Sequence, residues 1–439
     1  LVESGENQHS AALLLLAYLR VGEFDKALNL AGRLAEQYPN SPLPPSLAGY
    51  AYEGKQDYVS ARRSYESALK LNAEYSMASL SLARLDMIGG DVASARNRYR
   101  TILERQPNNA DALVALARLS AREQEGKVAE ILELLERARK VDEKSLQPRL
   151  ILANYYLSNG MAEKALVYAN EASTLAPRHP LSMLVLGRAQ LGTGDVASLN
   201  TIKKLTSRLP GSADAHYYRA IARARFDDIP GTHQSLQTAL DLNPDHERAL
   251  LALAKLKIND GNIDAALHIA RQLISSHPES TTGYLLEGDI LLAQDDKNGA
   301  LSAYESALVR SKVNGEAAIR ISRLQRSRGD TAASYTVLQN WLERHPEDFA
   351  VSFVLASSYL ADGNKDIAME QLEQMLDKQP DNPSVLNDLA WIYHQKGKSG
   401  ALEMAEKAYR LAPDNPAILD TYGWILVQAG KIESGLVPL

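Results

Sequence analysis

Apolar residues along this chain alternate between two helical patterns, and the alternation recurs. Ala112-Leu113-Val114-Ala115-Leu116-Ala117-Arg118-Leu119 is apolar almost all the way round a helix, as expected of a segment packed between neighbours. Ala300-Leu301-Ser302-Ala303-Tyr304-Glu305-Ser306-Ala307-Leu308 is amphipathic, with one apolar stripe. Strand-type alternation persists nowhere, and no low-complexity linker interrupts the chain. The pattern predicts an all-α chain of short helices of two kinds, used in turn.

Recurrent segment endings supply a ruler: LAEQYP at Pro39, ILERQP at Pro107, ALDLNP at Pro244, WLERHP at Pro346 and MLDKQP at Pro380. The equivalent positions are Pro39, Ala73, Pro107, Glu143, Pro177, Pro210, Pro244, Pro278, Lys312, Pro346, Pro380 and Pro413. Successive gaps are 34, 34, 36, 34, 33, 34, 34, 34, 34, 34 and 33. Proline stops one helix and shapes the turn into the next. About twelve residues before each marker stands a mostly small residue: Ala27, Ala61, Ala95, Ile131, Ala165, Ser198, Thr232, Ala266, Ala300, Ser334, Ala368 and Ala401. A small side chain there lets two helices approach closely. Ile131 is the exception, in the one repeat with two extra residues, so a local distortion is expected between Arg122 and Leu132. Earlier still a glycine recurs, at Gly22, Gly90, Gly160, Gly194, Gly261, Gly329, Gly363, Gly397 and Gly430. It tolerates the positive φ that ends a helix and starts a hairpin. Each unit therefore reads helix A, glycine turn, helix B, proline turn. Tyr65, Tyr99 and Tyr304 share one place in helix B, which reads as core.

A 34-residue period is the mark of the tetratricopeptide repeat (TPR), and the chain resembles that family over nearly its whole length. The resemblance implies a right-handed superhelical solenoid of antiparallel helix pairs, with a concave face lined by the A helices. Residues 1–439 are expected to form a single solenoid of about 12 full repeats and a partial thirteenth, 415–439. The chain begins with Leu1 and ends without a polar cap, so it is expected to be part of a longer protein. A leader or lipid anchor could lie upstream.

Composition changes this picture little. A net charge of −6 gives no electrostatic case for nucleic acid as a partner. With no cysteine, disulfides, thiolate catalysis and Cys-based zinc sites are excluded. The longest apolar run, Ala11 to Leu19, is far short of the roughly 20 residues a membrane-spanning helix needs. No two of the nine histidines stand three or four residues apart, so no helix carries a paired metal-binding face. Gly192-Thr193-Gly194 lies in a repeat turn and lacks a third glycine. The expectation is a non-catalytic scaffold with no cofactor and no metal.

Three subfamilies can be tested by residue. Co-chaperone TPR domains carry a carboxylate clamp with a Gly-Asn pair in the first helix A; Leu15-Leu16 stands here instead. Glycosyltransferase TPR superhelices carry an inner asparagine ladder; the matching positions here include Ser81, Ile151, Tyr218, Ala252, Leu286 and Val354. Residues 387–431, NDLAWIYHQKGKSGALEMAEKAYRLAPDNPAILDTYGWILVQAGK, resemble the TPR protein of bacterial exosortase (PEP-CTERM) exopolysaccharide systems. That resemblance implies a periplasmic or envelope-associated scaffold for polysaccharide assembly or protein sorting; the alternative is a generic cytoplasmic TPR adaptor or co-chaperone, and behind it direct glycan binding or an enzyme.

The expected binding surface is read from helix A. In repeats three to ten, one inner-face position reads Arg84, Arg118, Asn154, Arg188, Ile221, Lys255, Asp289 and Arg323. Five of these eight are basic in an acidic chain, and Arg122 and Arg326 lie one turn beyond two of them. Toward the C-terminus the place is taken by Trp391 and Trp424, with His394 nearby. One reading is that these cations pair with acidic residues on adjacent helices. The other is a basic inner track for a protein partner through an acidic peptide, or for an acidic polysaccharide, since Arg binds carboxylates through two parallel hydrogen bonds.

Overall fold

A computed structural model of the protein describes residues 5–123 and 128–437. Its contacts divide the chain into two compact units, Leu1–Thr232 and His233–Leu439. All regular structure among the described residues is helical. The first unit holds α1 (Gly5–Arg20), α2 (Phe24–Gln37), α3 (Leu43–Gly54), α4 (Tyr58–Leu71), α5 (Ser76–Ile88), α6 (Val92–Arg105), α7 (Ala110–Glu123), α8 (Val128–Val141), α9 (Gln147–Ser158), α10 (Ala162–Leu175), α11 (Pro180–Gly192), α12 (Ala197–Arg208) and α13 (Ala213–Arg225). The division falls within α14 (Ile229–Leu242). The second unit continues with α15 (Glu247–Asn259), α16 (Ile263–Ser276), α17 (Thr281–Ala293), α18 (Lys297–Arg310), α19 (Glu316–Ser327), α20 (Thr331–Arg344), α21 (Phe349–Ala361), α22 (Lys365–Lys378), α23 (Pro383–Gln395), α24 (Ala401–Leu411), α25 (Pro416–Gln428) and α26 (Ile432–Leu436).

Odd-numbered helices are the A helices and even-numbered ones the B helices. Within each unit A helices pack on their own B helices, as α3 on α4 and α17 on α18, and B helices on the next A helix, as α2 on α3 and α16 on α17. A helices of neighbouring repeats also touch, as α9 on α11 in the first unit and α19 on α21 in the second, whereas successive B helices stand farther apart. Closer spacing on the A side means that the A helices line the inner side of each unit.

The sequence marks have local causes. All nine hairpin glycines take φ values between 64° and 81°. Among the described turns three lack glycine, and Gln56, Asp227 and Asp295 hold the same left-handed conformation, at φ 61°, 57° and 62°. Such a backbone costs an L-residue roughly 1–2 kcal/mol, less for Asp, whose side chain tolerates it. Gln56→Gly is therefore expected to stabilise the first unit by roughly 0.5–1 kcal/mol, net of glycine's larger entropy loss. An unchanged or lowered midpoint in urea would contradict this. After the turn an acidic residue caps helix B: Asp57, Asp91 and Asp330 accept from the amides of Ser60, Ser94 and Ala333.

The small positions fill the A–B contacts. Ala61, Ala95, Ala266 and Ala368 are fully buried, as are Tyr65 and Tyr304 in their B helices. In α8 the register holds, with Leu135 and Ala138 buried where α6 buries Tyr99 and Ile102, while Ile131 is only partly covered. Residues 124–127, the centre of the distortion expected between Arg122 and Leu132, lie outside the described residues.

Neighbouring repeats are tied on the outer side as well. Each of several B helices ends in a donor that reaches the carbonyl of the preceding marker residue. Arg105 Nη1 donates to Ala73 O at 3.1 Å, Arg137 Nη2 to Pro107 O at 3.1 Å, Arg310 Nε to Pro278 O at 2.7 Å and Lys407 Nζ to Pro380 O at 2.7 Å. Buried Asp86 accepts from Arg62 of α4 at 2.6 Å and Arg98 of α6 at 2.7 Å.

Candidate functional surface on the A helices

Each residue of the inner series follows a small one. Ala83, Ala117, Ala153, Ala220 and Ala254 are buried, as is Ser322. Gly187 and Gly288 hold the same place, and a Cβ on Gly288 would stand 2.3 Å from the Tyr304 ring. The small residue is where helix A meets helix B. One residue further round, about 100° on at 3.6 residues per turn, the side chain is turned out of that contact. This is why one sequence position supplies a row along the A helices.

The row divides into engaged and free cations. Arg84 grips Glu53 of α3 with both Nε (3.1 Å) and Nη2 (2.8 Å), and its guanidinium lies 5.4 Å over the Tyr50 ring. Glu53 also accepts from Tyr65 at 2.6 Å, and burial, with that bond, pushes the Tyr65 phenol well up. Arg326 grips Asp362 of α21 through Nη1 (2.9 Å) and Nη2 (2.7 Å), and Tyr335 donates to the same carboxylate. Arg188 donates to Asn154 at 2.9 Å and lies 5.6 Å over the Tyr218 ring. Asp289 is taken up by Tyr304 at 2.7 Å and by Arg320 at 3.2 Å. By contrast Arg118, Arg122, Lys255 and Arg323 are exposed and have no ion-pair partner among the described residues. So the pairing reading holds for Arg84 and Arg326, and Arg188 has a neutral partner.

Asp362 has a consequence for pH. The Arg326 hydrogen bonds, then that from Tyr335, hold its carboxyl down to about 2. An unfolded Asp titrates near 3.9, so this group contributes stability that is complete above about pH 4 and is lost as pH falls through about 2. The parent's advantage in melting temperature over Asp362→Asn is expected to shrink between pH 5 and pH 2. A constant difference across that range would refute the assignment.

In the first unit the structure brings three of the expected residues to one cavity. Arg84, Arg118 and Arg122 line a hollow of about 550 Å³ between α5 and α7. Its walls include Leu80, Met87, Tyr99 and Leu119, with Tyr50 and Asp111 also on the lining. A scan of single repeats could not find this hollow, because its apolar wall is shared by two A helices and one B helix. In the second unit Trp391 and His394 sit one turn apart on α23, ring centroids 6.1 Å apart, and Trp424 on α25 is 45% exposed. The helices α23 and α25 pack on each other. Among the described residues no three His, Cys, Asp or Glu side chains are grouped to hold a metal ion. No described helix is long and apolar enough to cross a membrane. The chemistry on offer is charge pairing and apolar contact.

The family described as "Tetratricopeptide repeat protein 21 second ARM domain" matches residues 24–295, and a tetratricopeptide-repeat family matches residues 319–383 and 353–416. The chain belongs to the tetratricopeptide-repeat family. As a TPR protein it is similar to the cellulose synthase operon protein C of Pseudomonas fluorescens, at 27% identity over 204 residues, 41% of this chain and 16% of the relative. It is similar to the cellulose synthase 1 operon protein C of Komagataeibacter xylinus at 30% identity over 173 residues, 36% of this chain and 13% of the relative. The TPR chain thus spans less than a fifth of these relatives' lengths. Among solved structures, yeast Tom70 superposes with a TM-score of 0.52 at 16% identity, covering 90% of this chain and 96% of that one, a likeness of fold. TPR proteins of this kind are protein-interaction scaffolds, and the cavity and free cations described above lie on the helices that line the inner side.

Proposed function

We propose that this chain is a non-catalytic scaffold of the bacterial cell envelope that gathers proteins of an exopolysaccharide assembly and export system, or of PEP-CTERM protein sorting. The observation that carries the scaffold reading is the set of exposed, unpaired cations along the A helices, Arg118, Arg122, Lys255 and Arg323, in a chain whose net charge is −6. Cations kept unpaired among so many carboxylates favour an acidic partner. The exopolysaccharide setting is supported by the likeness to cellulose synthase operon proteins and by the pattern of residues 387–431. A periplasmic or envelope location goes with that setting.

The test has two arms. Pull-down from envelope extract, read by mass spectrometry, is expected to recover polysaccharide-assembly or sorting proteins; recovery of cytosolic chaperones alone would favour a cytoplasmic adaptor and overturn the envelope reading. Reversing Arg118, Arg188 and Lys255 to Glu together is expected to weaken partner binding tenfold or more, to make it less sensitive to salt, and to leave helicity unchanged. A triple variant that binds like the parent removes the inner row as the binding surface.

A further inference from the structure

The cavity between α5 and α7 is more selective than a basic track. Its floor carries Leu80, Met87 and Leu119, of which the first two keep apolar surface toward the hollow. On its rim Asp111, Arg118 and Arg122 follow one another along a single face of α7, with Ala115 between, at spacings of four, three and four residues. The face is therefore polar in both senses. Its start is acidic, and its end, about 16 Å further along the helix at 1.5 Å per residue, carries two cations. Neither cation has an ion-pair partner among the described residues.

An acidic polysaccharide meets only half of this. It would satisfy Arg118 and Arg122, but its hydroxyls would be pressed onto Leu80, Met87 and Leu119 without partners, each costing about 1–3 kcal/mol. A peptide with an apolar side chain meets all of it. The apolar group fills the floor, carboxylates on one side reach the two arginines, and a lysine or free amine on the other side reaches Asp111. At about 3.3 Å per residue in extended form, roughly five residues span the face. The volume of about 550 Å³ is within the range of ligand pockets.

We propose that this cavity docks a short protein segment with an apolar anchor, acidic residues toward one end and a positive charge toward the other, and that it does not take polysaccharide. The proposal rests on the scaffold reading, in that the occupant is a protein. It narrows the choice left open by the cation row to one class of ligand, and it gives that ligand a direction.

The experiment selects displayed random twelve-residue peptides on the full chain, in parallel with the variant Ala115→Phe, which fills the hollow and leaves every charge in place. A defined oligogalacturonate serves as the acidic glycan probe. Peptides enriched on the parent are expected to carry Leu, Ile, Met or Phe beside Asp or Glu. They should bind Ala115→Phe at least tenfold more weakly, with helicity preserved. On Arg118→Glu with Arg122→Glu they should bind at least tenfold more weakly, and replacing their acids by lysine should restore binding to that variant. Oligogalacturonate should bind the parent and Ala115→Phe alike, or neither. Enriched peptides that ignore Ala115→Phe overturn the cavity proposal, and so does a parent that enriches no such pattern. Oligogalacturonate binding that Ala115→Phe abolishes would reassign the hollow to glycan. Each of these failures leaves the envelope pull-down standing as the separate test of the scaffold.

Discussion

Trp341→Ala is expected to destabilise the second unit by about 4 kcal/mol, the range for emptying a large aromatic site in a packed core. Trp341 is 2% exposed and joins Ala318, Ile319, Leu338, Val351 and Leu355 in one apolar cluster shared by α19, α20 and α21. Its indole also donates to Asp348 at 2.8 Å. The same carboxylate accepts from Gly315 N at 2.8 Å and caps α21 through Val351 N at 3.2 Å. One residue thus fills the core, anchors the turn into α19 and steadies the start of α21. Repeat arrays need not unfold in one step, so the loss is best read locally. Amide protection in α20 and α21 is expected to fall about a thousandfold at 1.4 kcal/mol per factor of ten. Trp341→Phe keeps most of the burial and should cost only about 2 kcal/mol, the worth of the lost hydrogen bond to a carboxylate. Equal damage by Phe and Ala would show that the hydrogen bond, and not the filling, carries the effect.

Gly288→Ala carries the second large effect, and its sign is the point. In an exposed helix interior the change would stabilise by about 1 kcal/mol, because alanine costs less backbone entropy. Here the added Cβ would stand 2.3 Å from Tyr304 Cε1 and 2.5 Å from Cδ1, and the ring has no free side to move to, being 1% exposed. The phenol is further pinned by its 2.7 Å bond to Asp289. A loss of about 2–3 kcal/mol is expected, the cost of overpacking. Displacing the ring also disturbs Asp289, which Arg320 of the next A helix holds at 3.2 Å, so the interface between α17 and α19 should loosen too. Tyr304→Leu should recover at least about 1 kcal/mol of the damage in the double variant, the coupling expected of residues in contact. Strict additivity of the two changes would mean that the clash is relieved elsewhere. Gly49 faces Tyr65 in the same way, at 2.4 Å, and should respond alike in the first unit.

The architecture was legible because it is periodic. The proline markers, the small residues and the hairpin glycines each report a backbone or packing demand that recurs in every repeat, and single residues suffice to state it. The left-handed turns at Gln56, Asp227 and Asp295 were not legible, since Gln does not announce a positive φ and Asp tolerates one without requiring it; only the spacing of the neighbouring turns does. The inner row could be read as positions but not as states. Arg84 and Arg118 look alike in sequence, yet Arg84 is held by Glu53 and Arg118 is free among the described residues. The partners Glu53 and Asp362 sit at different offsets in their repeats, so no fixed spacing reveals which arginine is neutralised. The cavity was hidden for a related reason, as its lining is drawn from successive repeats.

The hydrogen bonds that join repeats have one more consequence. The longest side-chain reach described, from Arg326 to Asp362, spans 36 residues, and the outer ties to the marker carbonyls span 27 to 32. Among the described residues every such bond ends in the adjoining repeat and none skips one. Deleting or duplicating a whole repeat then leaves the outer donors facing an equivalent backbone carbonyl, so these ties tolerate a change in copy number by unequal recombination, whereas the Arg84–Glu53 and Arg326–Asp362 pairs are kept only if both of their repeats stay adjacent. Outside those pairs the length of such a chain is free to evolve separately from its sequence, and a lineage can lengthen its reach between partners in steps of one repeat.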